Sequence, residues 1–110
     1  MLKLCRVDLE HREDLYQELK EFVKLLKERF PIKAIYLFGS FANGDIHEGS
    51  DIDLLIIGEF QGRFMERIGE ITSLTDLPIE PLVYTPLEIE EMISNDNPFI
   101  KSLLETGKKI

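Results

Sequence analysis

The chain has 110 residues, 44% of them hydrophobic, with 21 acidic against 13 basic side chains and a formal net charge of −8. That length fits one domain around one modest core, and no apolar run approaches the ~20 residues of a membrane span. Lys and Arg form no long basic run, so a grip on long DNA or RNA, which takes clustered positive charge, is not expected.

The first residues, MLKLCRVDLEHRED, lack the apolar stretch of a secretory signal, so a cytoplasmic protein is expected. Cys5 stands alone and reads as a reduced thiol without a role. Residues 9–30 predict an amphipathic helix, because Leu15, Leu19, Phe22, Val23, Leu26 and Phe30 recur at helical spacing. Acids come early in it and bases late, as the helix dipole favours, and Pro31 ends it. Its apolar stripe is expected to pack on a sheet, and His11 reads as a surface residue. Residues 33–38 predict a first strand, closed by Gly39 and Ser40. Residues 44–50, GDIHEGS, predict a loop in which Asp45, His47 and Glu48 are solvated.

Residues 52–57 predict a second strand whose faces are both apolar beyond Asp53, hence a strand covered on both sides. Gly58 and Gly62 flank a turn. Residues 63–75 predict a second helix, with Phe64, Met65, Ile68, Ile71 and Leu74 turned inward. Arg63 and Arg67, one helical turn apart, read as solvated; the sharper alternative is a reach toward a triphosphate or an acceptor. Residues 79–84 predict a third strand, and Pro81, which cannot donate to a ladder, assigns it to an edge or a bulge. Thr85, Pro86 and Glu88 have the N-cap, N1 and N3 pattern of a helix running to about Ser94. Asn97 and Pro98 start another, carrying Phe99, Ile100, Leu103 and Leu104 and capped by Gly107 ahead of Lys108 and Lys109. These last helices are expected to cover a second sheet face, a face that small domains also use for homodimers. The sum is an α/β domain: a small mixed sheet of about three strands flanked by helices, with the strand order left open.

Chemistry concentrates in residues 34–57, AIYLFGSFANGDIHEGSDIDLLII. Asp51 and Asp53, at i and i+2, project side by side from one face of a strand. Two adjacent anions are unfavourable unless something positive sits between them. Mg²⁺ is the natural occupant, because it prefers oxygen ligands and keeps positions open for substrate phosphates. Gly39 lets the chain turn sharply and lets a ligand come close. Residues 41–43 begin a helical turn whose N–H groups, with the Ser40 hydroxyl, face a phosphate. A triphosphate on Gly39 and Ser40, with metal between it and Asp51 and Asp53, follows as the expected site. Glu80, near the head of the third strand, reads on its own as an edge charge that discourages sheet pairing.

Gly-Ser, ten residues, then Asp-x-Asp at the head of an apolar strand, here GSFANG followed by SDIDLLI, resembles the signature of the DNA polymerase beta-like nucleotidyltransferase superfamily. At this length the chain is most similar to its minimal nucleotidyltransferases (MNT proteins). The resemblance implies the polymerase-beta-like fold, ATP as donor, two Mg²⁺ ions and transfer of AMP to a hydroxyl with release of pyrophosphate. It places the superfamily's third carboxylate at Glu80, where Asp is usual, and finds Asn43 where many members carry a base. In that scheme Asp51 and Asp53 bridge both ions. Glu80 completes the ion that activates the acceptor and helps take its proton, and Ser40 with nearby N–H groups holds the outer phosphates. Resemblance to MNT proteins also implies a HEPN-domain partner, with this chain as the antitoxin that adenylylates a hydroxyl side chain of the toxin.

Two readings compete. One is a catalytically weakened module that neutralises a partner by contact; Glu80 and Asn43 are the features that favour it. The other is transfer to a small molecule, as in aminoglycoside nucleotidyltransferases, which are longer and resemble this chain only around the motif.

Overall fold

In the computed structural model, which describes residues 12–39 and 51–110, a mixed sheet carries helices on both faces. The elements in order are α1 (Arg12–Arg29), β1 (Ile32–Phe38), β2 (Ile52–Gly58), α2 (Phe64–Thr72), β3 (Ile79–Tyr84), α3 (Pro86–Ser94), α4 (Pro98–Thr106) and β4 (Lys108–Lys109). The sheet has four strands in the order β3-β2-β1-β4. β1 runs antiparallel to β2 and β4, while β2 and β3 are parallel. A parallel pair needs a crossover, and α2 supplies it.

β2 shows why the sheet is two-faced. Its even side chains Ile52, Leu54 and Ile56 join Ile35, Leu37 and Val83 under α1 and Ile71 of α2. Leu55 and Ile57 point the other way, to Ile89 of α3 and to Ile100 and Leu103 of α4. The α1 stripe of Leu15, Leu19, Phe22, Val23 and Leu26 is buried as its spacing requires. Pro81 lies in an edge strand, where its missing N–H breaks no ladder.

Both C-terminal helices start as their sequences direct. The Thr85 hydroxyl accepts from the Glu88 N–H at 3.2 Å, and the Glu88 carboxylate accepts from the Thr85 N–H at 2.8 Å. The Asn97 side chain accepts from the N–H groups of Phe99 and Ile100 at 3.0 and 3.2 Å.

Three details depart from the expectation. Gly107 does end α4, its N–H donating to Leu103 O, but its backbone is extended (φ −69°, ψ 151°) and leads into β4. Lys108 and Lys109 thus pair with Leu37 and Tyr36 as a fourth strand. Met65 is 72% exposed, not inward, because α2 packs through Phe64, Ile68 and Ile71. Phe99 is 52% exposed, because α4 turns Ile100 and Leu103 to the sheet. Among the described residues no helix is long and apolar enough to cross a membrane.

Candidate active site

The pairing of β1, β2 and β3 brings the carboxylates named from the sequence to one end of the sheet. Phe38 stands opposite Asp53 across the antiparallel pair, and Asp53 stands opposite Glu80 across the parallel one. The tail of β1 and the heads of β2 and β3 therefore meet. Asp53 has the parity of Leu55 and Ile57, so the row opens on the face that α3 and α4 cover further along. Asp51 precedes β2 by one residue and carries its carboxyl beside the row.

Gly39, directly after β1, has φ +70°, a conformation L side chains rarely adopt. A Cβ there would lie 2.3 Å from Asp53 Oδ2 and 3.2 Å from its Cγ. Glycine is what allows the turn and the Asp53 carboxylate to occupy the same corner. Ser40, Asn43, Asp45, His47 and Glu48, together with His11 and Cys5, lie outside the described residues.

The electrostatics follow from crowding. Burial raises the Asp53 carboxyl above its ordinary value; a hydrogen bond with Glu80 opposes that shift, and the Asp51 charge adds to it. Glu80 is also raised, first by its hydrogen bond with Asp51, then by partial desolvation and by the charges of Asp51 and Asp53. Three acids in mutual reach hold their full charge poorly. The donors suit a hard divalent cation: all are carboxylate oxygens, and a cation removes the repulsion among them. Among the described residues, however, no three His, Cys, Asp or Glu side chains are already arranged as a metal-holding group.

Arg67 is not the solvated base its sequence position suggested. Only 9% exposed, it donates from Nε to Gly62 O at 3.1 Å and from Nη1 to Glu88 Oε1 at 2.6 Å. Its Nη1 also reaches Val83 O at 3.4 Å, near the tail of β3 and away from the carboxylates. Burial works against the charge of Glu88, but the hydrogen bond from Arg67 and the backbone N–H of Thr85 prevail, and the carboxyl is held below its ordinary value. Arg67 thus fastens α2 to α3 and is not free to meet a triphosphate. Its partner lies 21 residues on, so no local pattern announced it. Arg63 is exposed.

Comparison with known proteins gives a consistent set. A model of the nucleotidyltransferase domain family matches residues 19–110. A Methanocaldococcus jannaschii protein named putative protein adenylyltransferase is 34% identical over 94 residues, covering 82% of this chain and 91% of that one. The crystal structure of a putative nucleotidyltransferase from Sulfolobus solfataricus superposes with a TM-score of 0.61 at 24% identity, over 76% of this chain and 78% of the other. A toxin–antitoxin structure with AMP-PNP superposes with a TM-score of 0.56 at 22% identity, over 82% and 69%. At those identities the two structures speak for the fold.

Proposed function

Because this chain belongs to the nucleotidyltransferase domain family, as a minimal nucleotidyltransferase, we propose that it transfers AMP from ATP to a hydroxyl group of a partner protein and releases pyrophosphate. The observation that carries the proposal is the row in which Asp53 and Glu80 face each other across parallel strand heads, with Gly39 leaving room for Asp53. A relative named for protein adenylylation covers most of the chain and supports a protein acceptor.

In this reading Asp51, Asp53 and Glu80 hold Mg²⁺, which when bound neutralises triphosphate charge and polarises the reacting oxygens. Asp51 and Asp53 orient the triphosphate end of ATP at the head of β2. The bend at Gly39 admits the phosphates close to the backbone, and Ser40 holds their outer oxygens. Glu80, the most exposed of the acids, accepts the proton of the incoming hydroxyl. The partner we propose is a HEPN-domain toxin, with this chain as its antitoxin. The likeness in fold to a toxin–antitoxin structure holding AMP-PNP supports that pairing.

The test uses ATP labelled at the α-phosphate, Mg²⁺ and a candidate HEPN-domain protein from the same genome. Label should become covalently attached to the partner. Asp51→Asn and Asp53→Asn should each abolish labelling and Mg²⁺-dependent pyrophosphate release; full activity in both variants would overturn the assignment. Pyrophosphate release without protein labelling would move the acceptor to a small molecule. A second reading, a module that neutralises its partner by contact alone, rests on Glu80 standing where the resembling superfamily usually carries Asp. Neutralisation that survived loss of both aspartates would decide for it.

A further inference from the structure

Gly39, Asp51, Asp53 and Glu80 suit phosphates and cations, and none of them reads a nucleoside. Phe99 packs on Phe38, the residue beside this row, and still stays half exposed. It is the one exposed aromatic side chain among the described residues, at 52%, while Ile100 and Leu103 of the same helix are 0% and 4% exposed. The Asn97 cap fixes its backbone in the first turn of α4. Its ring meets that of Phe38 edge-on, with centroids 6.3 Å apart and planes at 81°. Phe38 is the residue opposite Asp53 on β1. Residues directly opposite on adjacent strands share a face of the sheet, so Phe38 puts Phe99 on the same face as Asp53, with one ring between them. About half of the ring stays open to solvent, and a second ring meets it edge-on beside the strand heads.

We infer that Phe99, backed by Phe38, is the shelf on which the base of the bound nucleoside triphosphate stacks; the inference rests on the nucleotidyltransferase reading above. Stacking needs only a π face, so the shelf accepts any base and selects weakly among them. Phe99 is then a binding residue for the donor, not a contact for the acceptor protein.

Calorimetry on the whole chain with Mg²⁺ tests this, with ATP and inorganic tripolyphosphate as separate ligands. Phe99→Ala and Phe99→Leu should weaken ATP roughly tenfold or more, within the range that base–aromatic stacking supplies. Phe99→Tyr should bind ATP as the wild type does, and tripolyphosphate should bind all four proteins alike. Thermal melts and the Leu and Tyr variants guard against simple misfolding. Unchanged ATP affinity in Phe99→Ala would overturn the inference, as would an equal loss of tripolyphosphate. Loss of partner labelling with ATP affinity intact would also overturn it, by marking Phe99 as a protein contact. A wild-type chain that bound neither ligand would overturn the inference and the proposed function together.

Discussion

Replacing Gly39 with Ala probes the corner on which the site is built. Two separate penalties are expected. At φ +70° an L side chain costs about 1–2 kcal/mol in backbone strain. The new Cβ would also lie 2.3 Å from Asp53 Oδ2, against an optimum of about 3.5–4 Å for non-bonded heavy atoms. The carboxylate must then move by more than about 1 Å, and an off-rotamer side chain adds about 0.5–1.5 kcal/mol. Urea denaturation should therefore show a loss of about 2–3 kcal/mol. Transfer activity should fall on the order of a hundredfold, as for other misplacements of this size. Repeating the change in an Asp53→Ala background separates the terms: the strain of about 1–2 kcal/mol should remain and the clash should vanish. A Gly39→Ala protein as stable and active as the wild type would refute both the left-handed turn and its closeness to Asp53.

Two further outcomes are expected from the packing. Glu88→Gln should destabilise by about 1 kcal/mol at neutral pH, a figure kept low because Glu88 is partly exposed. Since Arg67 holds this carboxyl below its ordinary 4.5, its stabilisation is full above that pH and is lost as pH falls through the lower folded value. The wild type and Glu88→Gln should thus differ in urea midpoint at pH 7 and converge toward pH 3; a gap that persisted in acid would contradict the pairing. Ile56→Ala, at a fully buried position of β2, should lose about 2–5 kcal/mol in the same assay, and a loss below about 1 would deny the strand its two-sided cover.

The acids gathered at the strand heads were legible because their signals are local. Asp51 and Asp53 announce themselves by a period of two at the head of an apolar run, and Glu80 repeats the theme in β3. Thr85 and Glu88 specify a helix start through groups three residues apart. What escaped the sequence depends on rotation and distance. Phe64 and Met65 are neighbours on α2, as are Phe99 and Ile100 on α4, and successive residues on a helix point about 100° apart. Only one of each pair can face the sheet, and composition does not say which. Arg67 finds Glu88 through tertiary folding alone. β4 has two lysines and no alternation, so only its pairing with β1 reveals it. The order of the strands was equally hidden, since a pattern of faces carries no record of neighbours.

That order is what brings the acids to one end of the sheet. β2 needs β1 antiparallel on one side and β3 parallel on the other for a strand tail and two strand heads to meet. Were β3 reversed, Glu80 would sit at the far end of a strand of six residues, about 17–20 Å from Asp53. The right-way-round crossover through α2 is therefore as necessary to the carboxylates as their own identity. Arg67 and Glu88 tie that crossover to α3 near the opposite end of β3. The repulsion at the strand heads is opposed by the strand behind them. Leu54, Leu55 and Ile56 are wholly buried and Ile57 nearly so, and each such side chain contributes about 1.5–3 kcal/mol. A fold can keep like-charged acids together at one end of a strand when the rest of that strand is its most buried element.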